Sequence, residues 1–324
     1  MKEERSGFEV QELSVSFRVR GERVPVLHDA SIHLAQGGVT GIIGESGSGK
    51  SVFGEALFGL LPESAEIRGK VQFDGKDVFA LTQREKNSLW GNVWGLVPQL
   101  PQEALSPLRT IDGHLRDVRR GAGMKPLSQE EAARLLRSFE LAEPERVLRA
   151  YPHELSGGML QRILCAMAAA CRPAWILADL LDEPTKGLDE DAREAVGRSL
   201  ARMAERTRCT LLVITHDIAL AHSICDRLIV MYEGEIVELL AVAPELAAHH
   251  PYTQALLRAL PENGFEALPL QAETSGAGSG CRFAQRCAHA DARCRRARPS
   301  LYAAGSGKVR CFLYAGSASA DEAL

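Results

Sequence analysis

Apolar and polar residues alternate from Phe8 to Phe17 and again from Val24 to Leu34, which predicts two antiparallel strands at the start of the chain. An unbroken apolar run follows, Val39-Thr40-Gly41-Ile42-Ile43, then a glycine-rich stretch that leads into a helix. Val71-Gln72-Phe73-Asp74-Gly75-Lys76-Asp77-Val78 reads as a further strand and turn. From about Pro107 to Leu148 the pattern is helical and charge-rich, with Glu130-Glu131-Ala132-Ala133-Arg134-Leu135-Leu136 as its clearest amphipathic segment. A helical insert is expected there.

Beyond Pro152 the two periods take turns: helix Met159–Cys171, an apolar strand ending near Glu183, helix Asp191–Arg206, strand Thr210–Thr215 and helix Ile218–Ile224. Such alternation predicts a parallel sheet covered by helices. Leu228 to Tyr232 followed by Glu233 to Val237 has the form of a β-hairpin closing that domain. Gln271 to Gly280, rich in Gly, Ser and Ala, reads as a linker, and a small Cys- and Arg-rich tail follows it. No internal repeat is visible.

At 324 residues the chain is long enough for one large domain and an appendage. A formal net charge of −4 gives no general attraction to nucleic acid. The longest apolar runs, such as Ile163 to Cys171, fall well short of the ~18 residues needed to span a bilayer. Met1-Lys2-Glu3-Glu4-Arg5 is charged and no signal-peptide core follows it. A cytosolic location is therefore expected, with reduced thiols. The eight cysteines then read as core residues or metal ligands rather than disulfides.

The glycine-rich stretch is Gly44-Glu45-Ser46-Gly47-Ser48-Gly49-Lys50-Ser51, a complete match to the phosphate-binding loop pattern. Glycines let the backbone curl so that successive N–H groups point at one anion, and the following helix adds the positive end of its dipole. In that pattern Lys50 reaches the β- and γ-phosphates and the Ser51 hydroxyl binds Mg²⁺. A nucleoside triphosphate is the expected ligand.

Leu155-Ser156-Gly157-Gly158-Met159-Leu160-Gln161-Arg162 opens a helix that Ser156 is placed to cap. Lying about a hundred residues after the phosphate loop, it closely resembles the signature motif of ABC-type ATPases, a resemblance that covers nearly the whole chain. It implies an α/β fold, a P-loop NTPase of ABC type: a RecA-like core with an antiparallel β-subdomain and a helical subdomain, plus a small Cys-rich C-terminal extension. The implied boundaries are 1–240 for the ATP-binding domain, with its helical subdomain at about 105–165, and 241–324 for the extension. Two such domains sandwich two nucleotides, so Ser156, Gly157 and Gly158 would contact the γ-phosphate held by a second ATPase subunit.

Other roles follow from the same resemblance. Gln99, in Gly95-Leu96-Val97-Pro98-Gln99-Leu100-Pro101, holds the Q-loop position, where the glutamine touches Mg²⁺ and the attacking water and senses the membrane subunit. Pro98 replaces the usual aromatic before it. His216, after the apolar strand Leu211 to Thr215, matches the switch histidine that contacts the γ-phosphate and orients the catalytic glutamate and water. Phe17 matches the aromatic that stacks on adenine, although core packing explains a strand phenylalanine nearly as well.

The acidic motif departs from the family pattern. In Trp175-Ile176-Leu177-Ala178-Asp179-Leu180-Leu181-Asp182-Glu183-Pro184-Thr185-Lys186-Gly187-Leu188-Asp189, counting forward from the signature motif selects Asp179. Counting back from the D-loop that ends in Asp189 selects Asp182, with Glu183 as general base. Three extra residues separate the two counts. A shift of three reverses which strand residues face the site, so a bulge or loop must absorb the excess. The intact Asp-Glu pair favours Asp182 for Mg²⁺ and Glu183 for the base. The competing expectation is a nucleotide-binding but slow, regulatory subunit.

Cys281, Cys287, Cys294 and Cys311 stand on the polar tail, whereas Cys165, Cys171, Cys209 and Cys225 lie in helix or strand patterns that suit small buried residues. The tail, with His250-Pro251-Tyr252-Thr253-Gln254-Ala255-Leu256-Leu257 before it, resembles the C-terminal region of ATPase subunits from dipeptide, oligopeptide and nickel importers. That resemblance implies a [4Fe–4S] cluster on the four cysteines. Zinc is the alternative, disfavoured because its ligand pairs usually lie two to four residues apart. Altogether the resemblance implies a peripheral subunit on the cytoplasmic side of the membrane that hydrolyses ATP to power import of a peptide, nickel or similar solute. Its partners would be a second, identical or different ATPase subunit, two membrane permeases and, indirectly, an extracytoplasmic solute-binding protein. A soluble ABC ATPase outside transport is the other class, though it would normally carry two ATPase domains in one chain.

Overall fold

A computed structural model describes residues 7–180, 190–243, 246–260, 266 and 279–316. The chain divides into two compact units, one within Met1–Ala35, Thr40–Phe79 and Thr215–Leu324, the other within Gln36–Val39 and Ala80–Ile214.

In the first unit the two alternating segments are strands β1 (Gly7–Val19) and β2 (Glu22–Ala35), paired antiparallel from Phe8 opposite Leu34 to Val19 opposite Glu22. The buried strand β3 (Val39–Ile43) leads through the glycine-rich turn into helix α1 (Lys50–Leu57). Strands β4 (Ala65–Phe73) and β5 (Lys76–Asp77) complete a sheet of order β2-β1-β4-β5. Alternation buries Phe8, Val10, Leu13 and Val15 on one side of β1, and Phe8 packs against Phe58 and Phe73 at 5.3 and 4.8 Å between ring centroids.

The second unit holds α2 (Gln83–Leu89), β6 (Trp94–Val97) and α3 (Pro101–Ala104), then the predicted helical insert as α4 (Ile111–Gly121), α5 (Gln129–Ser138) and α6 (Pro144–Arg149). Each start follows from local chemistry. Thr110 caps α4, Ser128 and Glu131 form a reciprocal capping box on α5, and Pro144 occupies the first turn of α6. Their apolar stripes bury Ile111, Leu115, Leu136, Val147 and Leu148. Helix α7 (Gly157–Ala169) begins two residues before the expected Met159, because Ser156 caps it. Strand β7 (Trp175–Asp179), helix α8 (Glu190–Thr207) and strand β8 (Thr210–Ile214) follow, and β6, β7 and β8 are parallel neighbours.

The chain re-enters the first unit with helix α9 (Ile218–Ile224), strand β9 (Arg227–Tyr232), which pairs parallel with β3, and strand β10 (Glu235–Ala241). Glu233 and Gly234, at φ 42° and 79°, make the left-handed two-residue turn that suits a hairpin. This hairpin does not close the sheet, as its sequence suggested. The outer edge of β10 is covered by β12 (Gly307–Val309), itself paired with β11 (Tyr302–Ala304), so tail strands satisfy backbone groups that an edge would leave bare. Between them come helices α10 (Pro251–Arg258) and α11 (Ala292–Arg296). Of the predicted linker Gln271–Gly280, only Ser279 and Gly280 lie among the described residues. No described helix is long and apolar enough to cross a membrane.

Candidate functional site

The phosphate loop joins the buried strand β3 to α1 and is held by close backbone approaches that only glycine permits. Gly44, at φ 148°, passes so near Met231 that an added Cβ would lie 2.1 Å from that carbonyl oxygen. Gly49, at φ 93°, turns the chain into the first residue of α1. The loop is closed by Ser48 N–H on the Glu45 carbonyl at 3.2 Å and tied to the β9–β10 turn by Gly234 N–H on the Ser48 carbonyl at 3.0 Å. Lys50 is 2% exposed, and its ammonium donates to the carbonyls of Gly44 and Glu45 at 2.9 and 2.7 Å and to Ser48 Oγ at 3.3 Å. The loop thus folds around its own lysine, while Ser46 and Gly47 face solvent and Ser51 is half-buried at the helix start.

His216 is carried beside this loop by the backbone. Thr215 N–H donates to the Ile42 carbonyl at 3.2 Å, two residues before Gly44, and Thr215 Oγ1 accepts from Asp217 N–H at 3.0 Å. Asp217 in turn caps α9 through Leu220 N–H, which leaves the His216 ring exposed at the strand end. Phe17 lies in β1 opposite Val24 and Ala65 and is half-buried, so part of its ring remains open to a planar ligand.

Residues of the C-terminal extension also reach the loop, and sequence reasoning did not single them out for it. Glu45 N–H donates to the hydroxyl of Tyr252, a fully buried residue of α10. Burial raises the Tyr252 hydroxyl pKa, which keeps it neutral. Arg286 donates two parallel bonds to the Glu45 carboxylate, at 2.7 and 2.9 Å. These partners are 207 and 241 residues from Glu45, beyond any local sequence signal.

In the second unit, Ser156 Oγ accepts from Met159 N–H at 3.3 Å, so the predicted cap forms. Ser156 and Gly157 are exposed, and a Cβ on Gly157 would meet nothing within 4 Å, so this helix start is open to an incoming group. Gln99 sits half-buried in the bend between β6 and α3. A groove of about 660 Å³ borders that bend, lined by Trp90, Leu96, Pro98, Val118, Leu164 and Met167 among others. Asp179 ends β7 opposite Ile214, and the pairing from Trp175 onward runs without a register break. Asp182, Glu183 and Asp189 lie outside the described residues.

Cys281, Cys287, Cys294 and Cys311 come from separate turns of the tail yet line one small cavity with His250, Phe283 and Asp291. Burial pushes the Cys281 thiol up to about 12, with a smaller push from Cys294 and Cys311, and raises Cys287 and Cys311 as well. Among the described residues, no three His, Cys, Asp or Glu side chains are gathered closely enough to hold a single metal ion. The remaining four cysteines are buried, as their patterns predicted.

Residues 27–186 match the family described as "ABC transporter", and residues 246–294 match "Oligopeptide/dipeptide transporter, C-terminal region". The chain is 37% identical over 314 residues to a dipeptide transport ATP-binding protein of Haemophilus influenzae, with 94% of each chain covered. It is 33% identical over 318 residues to an oligopeptide transport ATP-binding protein of Bacillus subtilis, covering 94% of this chain and 96% of that one. Among solved structures, the dimeric post-hydrolysis state of an ATP-binding cassette bound to ADP and Pi superposes with a TM-score of 0.63 at 27% identity, over 74% of this chain and all of the other.

Proposed function

The chain belongs to the ABC transporter family of ATP-binding proteins and is an ABC-type ATPase, and from that premise we propose that it is the ATP-hydrolysing subunit of a peptide importer. The observation that carries this reading is the likeness to peptide-transport ATP-binding proteins over 94% of the chain, together with the match of residues 246–294 to the oligopeptide/dipeptide C-terminal region.

In this reading the phosphate loop from Gly44 to Ser51 cradles the triphosphate, with Lys50 released from its carbonyls onto the β- and γ-phosphates and Ser51 on Mg²⁺. Phe17 stacks on the base. Asp182 and Gln99 serve Mg²⁺, Glu183 polarises the attacking water, and His216 holds the γ-phosphate and that water. Ser156, Gly157 and Gly158 complete the nucleotide site of a second ATPase subunit, which the open helix start at Gly157 supports, and Asp189 belongs to the D-loop motif. The groove beside Gln99 exposes Leu96 and Val118, apolar surface that suits a helix of a membrane permease and a peripheral position on the cytoplasmic face.

A second reading of the metal carboxylate is favoured by one observation, the regular strand that ends in Asp179. There Asp179, not Asp182, serves Mg²⁺. Hydrolysis by Asp179→Asn and Asp182→Asn in the reconstituted transporter separates the two, since full activity in one removes it from the role. A dead Glu183→Gln with retained ATP binding supports Glu183 as base.

The tail cysteines suit an iron–sulfur cluster better than zinc. Four thiols line one cavity, and their separations along the chain are longer than the two to four residues usual between paired zinc ligands. Cys281, Cys287, Cys294 and Cys311 would hold it, and the bound group would supply a structural or one-electron centre. Iron and acid-labile sulfide after anaerobic purification test this; stoichiometric zinc without iron refutes it. For the function itself, the assembled complex with its solute-binding protein should hydrolyse ATP faster when di- or oligopeptides are added. Stimulation by nickel chelates alone would overturn the peptide assignment.

A further inference from the structure

The phosphate loop carries a carboxylate, Glu45, where a polyanion is to bind. Left free, that charge opposes the triphosphate at short range in a partly buried site. The structure shows what restrains it. The guanidinium of Arg286 grips both Glu45 oxygens at 2.7 and 2.9 Å, and its NH1 group also donates to Tyr232 Oη at 3.3 Å. The same guanidinium lies 5.6 Å from the Tyr232 ring centre and 5.8 Å from that of Phe283. Its side chain is only 7% exposed. Arg286 stands next to Cys287, so it is delivered by the Cys-rich tail and not by the nucleotide-binding motifs.

We propose that Arg286 is a positioning residue for nucleotide binding: it neutralises the Glu45 carboxylate and holds it aside, so that the tail sets the affinity of the phosphate loop for ATP. This rests on the assignment of Gly44 to Ser51 as the nucleotide site. A planar fork matches a carboxylate in two-bond geometry, which fixes the direction of the Glu45 side chain as well as its charge. Tyr252 acts in parallel on the backbone, since its hydroxyl accepts the Glu45 N–H at 2.8 Å. By linkage, whatever loosens the segment around Arg286 weakens ATP binding, and bound ATP favours the ordered tail to the same degree.

The test is calorimetric titration of the purified full-length chain with Mg·ATP and with Mg·ADP. Arg286→Ala is expected to weaken ATP binding by about tenfold and ADP binding by less, because the penalty grows with phosphate charge. Glu45→Gln alone should bind ATP more tightly than the parent, because the carboxylate charge is gone while the Arg286 cation stays. Glu45→Gln placed in the Arg286→Ala chain should restore affinity to within about twofold, since it removes the charge that Arg286 neutralises. Arg286→Lys, which keeps the charge and avoids a bare cavity but loses the two-bond fork, should fall between the parent and Arg286→Ala. An unchanged Kd in Arg286→Ala overturns the proposal. So does a loss that Glu45→Gln fails to rescue, or a loss of equal size in Arg286→Lys. Lys50→Ala is the control for the premise. If it binds ATP normally, the site assignment fails, whatever Arg286 does.

Discussion

Replacing Ser156 by alanine separates a structural role from a catalytic one in a single side chain. In the folded chain Ser156 Oγ accepts one bond, from Met159 N–H at 3.3 Å, and the residue is exposed. A long cap bond in contact with water belongs at the low end of the capping range, about 0.5–1 kcal/mol. Helix α7 is otherwise anchored by Leu160, Ile163, Leu164 and Met167, all buried, so it persists. For a chain of this size the melting midpoint should fall by only about 1–3 °C. In its proposed role against the γ-phosphate the same hydroxyl would make a charge-assisted bond of about 1.5–3 kcal/mol. Its loss should slow turnover of the assembled transporter by roughly 10- to 100-fold. ATP affinity of the isolated chain should not change, because in the proposed sandwich the phosphate that Ser156 serves belongs to the other subunit's nucleotide. Scanning calorimetry, calorimetric titration and phosphate release measure the three quantities. Weakened ATP binding by the isolated chain would show that Ser156 acts on its own nucleotide and refute the sandwich; normal turnover would remove it from the site.

Three further outcomes follow from the same geometry. Lys50→Ala should cut ATP affinity at least about 100-fold, judged by titration, while the fold survives in circular dichroism. The pKa of His28 is lowered to about 4, by burial first and then by Arg282 and Arg298, so the fold holds the ring neutral. Its contribution to stability is complete above about 6.5, the free value, and is lost as pH falls toward 4, when a third positive charge joins the two arginines. Melting curves across that window should be flatter for His28→Gln, and an unchanged slope counts against the assignment. In the groove, Leu96→Arg with Val118→Arg should block co-purification with the permeases yet leave ATP binding of the free chain intact; normal co-purification would remove the groove from that role.

Where interactions are local, sequence and structure agree closely. The strand Val39–Ile43, the glycines that follow it and the cap at Ser156 are readable because each depends on neighbours a few residues away. The same holds for helix α9, which spans the predicted Ile218–Ile224 because Asp217 caps it and Thr215 ends the strand before it. The alternation of strand and helix was likewise enough for the parallel pairing of β7 and β8, whereas β6 was not foreseen as their neighbour.

What no local pattern carries is the placement of the tail. By composition, residues after the predicted linker are a polar appendage with four thiols. In three dimensions they supply β12 to the edge of β10 and the Arg286 fork to the Glu45 carboxylate, while Tyr252, ahead of the linker, gives its hydroxyl to Glu45 N–H. Strand edges and buried charges impose that placement, because a bare backbone edge or an unpaired carboxylate beside a phosphate site is costly wherever its partner lies in the chain. The sequence by itself determined that this protein holds a nucleotide and where its loop lies. Only the tertiary structure decided that the loop is braced from behind by residues more than 200 positions away, since hydrogen bonds and ion pairs depend on separation in space and not along the chain.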